Sequence, residues 1–184
     1  MKPVPVVLGM KPSAYGFAWI AFSSPFSVYD CGVVEARRGD KNEQCLERVE
    51  RLLRRFAAHT IVLEVYEGAG VKCSPRIVRL CRAVVALAHA RGLEIAVMSR
   101  GDVKACFASV GARTRHETAA AIARSFETLR NWLPAKRKVW EASQRNMALF
   151  DAAAAVLAHY HLGSARLFDD LREHGENISE MEED

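Results

Sequence analysis

The chain has 184 residues, half of them hydrophobic, and carries 26 Lys+Arg against 22 Asp+Glu for a formal net charge of +4. That length suits one domain with an ample core, and the apolar runs, such as Ala152–Ala158, fall far short of the roughly 20 residues of a membrane span. The N-terminus MKPVPVVLGMK is too short and proline-broken for a secretory h-region; five cysteines with no CxxC pair and no zinc-type spacing to His read as reduced thiols of a cytoplasmic protein.

Three strand-like runs come first. Val4–Leu8 is β-branched and apolar, Tyr15–Phe22 is rich in aromatics, and Ser27–Val34 follows after Ser23-Ser24-Pro25. Short connections holding Pro, Ser or Gly predict an antiparallel meander. From Asn42 the period changes: Cys45/Leu46, Val49, Leu52/Leu53 and Phe56 mark one helix face, and Glu47, Arg48, Glu50, Arg51, Arg54 and Arg55 fall on the other. Thr60–Val65 reads as a buried strand interrupted by one acid, Glu64. Ser74-Pro75 is an N-cap followed by proline at the first helical position, and the helix it opens stops at Gly92. Glu94–Met98 is the fifth strand. Thr114-Arg-His-Glu117 matches a capping box before a helix with Ala119, Ile122/Ala123, Phe126 and Leu129 on one side, and a last helix is predicted from about Met147 to Tyr160. The order β-β-β-α-β-α-β-α-α implies an α/β fold, a five-stranded mixed sheet with helices on both faces. The domain is expected over residues 1–163, with an acidic tail over 164–184 as a solvated end.

Four segments in this order carry a resemblance: VVLGMKPSAYG at 6–16, IVLEVYE at 61–67, DVKACFASVGARTRHE at 102–117 and DAAAAVLAHYH at 151–161. Together they resemble the RuvC-like Holliday junction endonucleases of the RNase H-like superfamily. The resemblance implies a first strand with its turn, a fourth strand bearing the second catalytic acid, a helix after strand five, and an acid-bearing C-terminal helix. It also implies Mg²⁺-dependent phosphodiester hydrolysis, in which four side chains, usually carboxylates, hold two ions.

The residue-by-residue transfer breaks at the site. Glu64 keeps the second acid and Asp151 the last one, but Lys11 stands where the first acid belongs, and Ala148 stands one helical turn before Asp151. Upstream of it only Ser143, Gln144 and Arg145 are at hand. The expectation is a degenerate centre in which the Lys11 ammonium sits between Glu64 and Asp151 in place of a metal, because paired carboxylates repel unless a cation joins them. Blander readings exist for each: an edge acid for Glu64, a helix-dipole acid for Asp151, a turn lysine for Lys11. Glu67 and Asp102 are the replacement ligands to weigh if the centre is active, with Mg²⁺ held by Glu64 and Asp151. No histidine cluster suits a metal.

Charge points to a polyanion. Six acids and no Lys or Arg lie in residues 173–184, so the first 172 residues carry 26 basic against 16 acidic residues, +10. Residues 100–145 alone hold ten basic and four acidic side chains. The resemblance makes this the DNA-binding face, with Lys104, Arg113, Arg115, Lys136, Arg137 and Lys138 on phosphates; the plain alternative is a solubilising helix face. Trp140, beside the last three, is placed to stack a base or simply to anchor the chain. The apolar helix at 75–91 fits a homodimer interface or burial under the sheet. The expectation is therefore a protein that binds branched or structured DNA with an impaired nuclease centre. An active junction endonuclease with rearranged ligands, and an adaptor with no nucleic-acid role, are the rivals.

Overall fold

The computed structural model describes residues 5–37, 39–135 and 145–181, with side chains as far as Ala165. Strand β1 (Val6–Ser13) lies at the centre of a five-stranded sheet ordered β3-β2-β1-β4-β5. Strands β2 (Gly16–Ser24) and β3 (Ser27–Glu35) complete the antiparallel meander that the short connections predict, with Met10 opposite Trp19 and Ile20 opposite Cys31. On the other side β4 (Ala58–Glu64) and β5 (Glu94–Met98) run parallel to β1, as strands joined by helical crossovers do.

Side chains alternate between the two faces of the sheet. Leu8, Met10, Trp19, Ile61 and Leu63 pack beneath α1 (Lys41–Phe56) and α2 (Pro75–Ala90). Of the residues of α1 that spacing assigns to its core face, Cys45, Val49, Leu52, Leu53 and Phe56 are buried there and Leu46 is partly buried. On the opposite face Val7, Ile20, Phe22 and Val62 pack beneath α4 (Arg115–Ser125) and α5 (Met147–Met181). On α2, the helix weighed as a dimer surface, Leu80, Cys81, Val84 and Ala88 are buried in the core.

Four elements differ from the sequence reading. The helix opened by the Thr114 capping box ends at Ser125 rather than running through Leu129, and a 3₁₀ helix over Glu127–Trp132 follows it. Strand β1 runs on past Leu8 to Ser13 despite Pro12. Its parallel pairing with β4 reaches only Met10, whereas the pairing with β2 continues to Ser13 and Gly16; Pro12 thus occupies a locally single-sided stretch, where a missing N–H is tolerated. A short helix, α3 (Arg100–Ala108), follows β5, opened by a reciprocal cap between Ser99 and Asp102. Helix α5 does not stop near Tyr160 but continues to Met181.

Candidate functional site

The site forms where β1, β4 and α5 meet. Met10 pairs with Leu63, so Lys11 and Glu64, one residue further along parallel strands, lie side by side. Both follow the alternation that sends Val7 and Val62 toward α5. Helix α5 can come close because β1 has no side chain at Gly9: a Cβ there would stand 2.8 Å from the carbonyl oxygen of Ala152 and 2.5 Å from Cγ2 of Val156. The buried alanines Ala152–Ala155 keep the helix equally slim. Asp151, just before them, is thereby brought to the same end of the sheet as Glu64.

Each carboxylate is met by a cation. The Lys11 ammonium donates to Oε2 of Glu64 in a partly buried pair. Arg115, the first residue of α4, donates from Nε to Oδ1 of Asp151 at 2.7 Å and from Nη2 to Oδ2, the two-pronged geometry that guanidinium and carboxylate favour. The hydrogen bond to Asp151 raises the Arg115 pKa above its ordinary value; burial opposes this, and the charges of Asp151 and then Glu64 add to it. Arg100 approaches Glu64 Oε1 at 3.5 Å from the solvent side.

The sequence reading thus corrects in one respect. Lys11 closes on Glu64 rather than serving both acids; Asp151 has its own cation in Arg115, which the resemblance assigned to phosphates. A signal was present: a cation at the first position of a helix opposes the dipole and calls for a nearby acid. Helix α4 begins as expected, Thr114 accepting from the Glu117 backbone N–H while the Glu117 carboxylate accepts from the N–H groups of Arg113 and Thr114.

These residues line one cavity of about 410 Å³. Its cations are Lys11, Arg100, Lys104, Arg113 and Arg115, and its acids are Glu64 and Asp151. Val103, Ala112 and Ala154 supply an apolar wall. The remaining sequence candidates fall elsewhere. Ala148 packs against the core, and Arg145 binds Glu35 and lies over the Tyr15 ring, 5.2 Å from its centroid. Glu67 pairs with Arg82, and Asp102 caps α3. Lys136, Arg137, Lys138 and Trp140 lie outside the described residues, as do Ser143 and Gln144.

A pair of hard divalent ions needs several oxygen ligands. Here two carboxylates converge, each engaged by a cation, and Ala148, one helical turn before Asp151, packs against the core. Among the described residues, no group of three or more His, Cys, Asp or Glu is arranged to hold a metal ion. Among the described residues, the donors that converge here are fewer than a two-ion centre uses. No helix among the described residues is long and apolar enough to cross a membrane.

No protein-family model and no curated protein matches the chain. Solved structures do. Thermus thermophilus RuvC in complex with a Holliday junction substrate aligns with a TM-score of 0.63 over 85% of this chain and 93% of that one, at 18% identity. The fold is that of RuvC. A second T. thermophilus RuvC structure gives a TM-score of 0.59 over 87% of this chain and 96% of that one, again at 18% identity. The yeast mitochondrial Holliday junction resolvase Ydc2 gives 0.58 at 15% identity, over 85% of this chain and 78% of that one. At such identities the likeness is one of backbone architecture: the RuvC sheet order and its flanking helices are present, built from a largely different sequence.

Proposed function

We propose that this protein binds branched or structured DNA through the basic cavity and the face around it, and that its nuclease centre is degenerate. The observation that carries the reading is the pairing of Lys11 with Glu64 and of Arg115 with Asp151 inside a cavity with five cations. A cleft of this charge attracts phosphates, while its acids, already matched by side-chain cations, are poor competitors for Mg²⁺. The resolvases that share the fold support DNA four-way junctions as the structure to try first. Residues 1–163 would form the binding unit, the acidic 164–184 segment would be an appendage, and a two-fold dimer would present two such cavities to one junction. The five free thiols suit a cytoplasmic setting.

The test is binding of a labelled four-way junction against linear duplex at two salt concentrations with Mg²⁺ or Mn²⁺ present. The expected result is salt-sensitive preference for the junction without cleavage. A metal-dependent cut abolished by Glu64→Gln would replace degeneracy with an active centre of rearranged ligands. Binding of neither DNA at low salt would point to an adaptor with no nucleic-acid role.

A further inference from the structure

The cavity holds more positive charge than a backbone phosphate uses. Lys11 and Arg115 are matched by Glu64 and Asp151. Arg100, Lys104 and Arg113 line the same space, leaving a surplus of three positive charges. Arg100 only flanks Glu64, with 89% of its side chain exposed. Among the described residues, neither the Lys104 ammonium nor the Arg113 guanidinium is in an ion pair; the Glu117 carboxylate meets Arg113 at its backbone N–H. At the starts of α3 and α4 the N-cap and third-residue backbone donors are taken by the Asp102 and Glu117 carboxylates and by the Ser99 and Thr114 hydroxyls. The charge that recognises an anion here is carried by the side chains.

An internal phosphodiester brings one negative charge. A phosphate monoester brings about 1.5 to 2 at neutral pH, with three strong acceptor oxygens, and suits a guanidinium fork backed by an ammonium. A volume of about 410 Å³ exceeds what a bare phosphate fills and is of the size that encloses a small organic ligand; Val103, Ala112 and Ala154 give an attached sugar an apolar surface.

We infer that this cavity is a metal-independent seat for a terminal phosphate, a phosphomonoester carried by a DNA strand end or by a free mononucleotide, held by Lys104, Arg113 and Arg100. The inference rests on the cavity being the DNA-facing site and goes further by naming what enters it.

The experiment uses the full chain in EDTA. One arm compares single strands and four-way junctions bearing 5′-phosphate ends with the same DNA bearing 5′-hydroxyl ends. The other arm titrates deoxyadenosine 5′-monophosphate against deoxyadenosine. A preference of about tenfold for the phosphorylated member in either arm, erased in the folded Lys104→Gln/Arg113→Gln variant, is the expected result, and the arm that shows it tells a strand end from a free nucleotide. Equal binding in both arms, or a preference the variant retains, overturns it. Hydroxyl-ended junctions that still bind in a salt-sensitive way would leave the DNA-binding reading standing while this inference fell; nucleotide binding without junction binding would do the reverse.

Discussion

Arg115 grips Asp151 with two prongs of its guanidinium, Nε to Oδ1 at 2.7 Å and Nη2 to Oδ2. The contact ties the start of α4 to the start of α5 across a sequence separation of 36 residues. Removing the cation leaves a carboxylate only 14% exposed without its charged donor. Arg115→Gln is expected to lower stability by about 1–2 kcal/mol, the half-exposed guanidinium tempering the usual loss for a charged hydrogen bond. Asp151→Asn combined with Arg115→Gln should cost less than the two single changes added together. Urea melts of the four proteins check this, and strict additivity would remove the pair as a structural element.

Lys11→Asp sets a new carboxylate beside Glu64. Without metal the two acids repel, and the variant is expected to lose about 1–2 kcal/mol, roughly 2–8 °C in melting temperature for a chain of this size. Mg²⁺ should restore part of the loss in the variant and change nothing in the parent protein. Identical melting of both proteins, with and without Mg²⁺, would remove Lys11 from the centre.

Charge reversal on the basic face tests the electrostatics of DNA binding. If Lys104 and Arg113 each contact a phosphate, Lys104→Glu with Arg113→Glu should weaken junction binding and flatten the slope of log K against log salt by about 1.8 or more. Truncation after Arg172 removes all six of the acids counted in residues 173–184 and is expected to tighten binding at low salt, the tail acting as an intramolecular rival of the DNA. An unchanged affinity on truncation would dismiss that rivalry.

Two thiols give the fold an alkaline limit. Burial, with the Asp30 charge adding to it, pushes Cys31 from 9.0 up to about 11. Burial, with Cys73 and Glu67 adding and Lys11 opposing, pushes Cys81 from 9.0 up to about 12. Below pH 9 both states keep these protons and the contribution is intact. Above it the unfolded thiols ionise while the folded ones stay protonated, so stability should decline from about pH 9 toward pH 11–12. Urea midpoints at pH 8 and pH 10 measure the decline, and Cys81→Ala should reduce it; a variant with the same decline would contradict the account.

Much of this was readable in the sequence because the strongest signals are periodic. The α1 stripe and the β5 run announce themselves, and the meander follows from short Pro-, Ser- and Gly-bearing connections. Glu64 stands out as one acid in an apolar strand. The remaining features lack periodicity. Helix α3 is nine residues long, has Gly101 in its first turn and buries only Phe107 fully; its start signal, Ser99 with Asp102, uses an aspartate where glutamate is the familiar partner. The end of β1 was hidden by Pro12, whose tolerance depends on which neighbouring strand has already ended. The Arg115–Asp151 pair joins two helices that no spacing rule connects.

The empty side-chain position at Gly9 has a wider consequence. With a carbonyl of α5 seated against β1 at that point, the height of the helix above the sheet is gauged by main chain rather than by the bulk of any one residue. Core side chains further along α5 can then be exchanged as the sequence drifts, while Asp151 stays indexed to the strand that bears Lys11. A chain that shares fewer than one residue in five with the solved structures it resembles can thus keep the same backbone architecture. Gly9→Ala would break the gauge: the added methyl must displace either Val156 or the helix, at an expected cost of about 1–3 kcal/mol, and the Asp151 carboxylate would move with it.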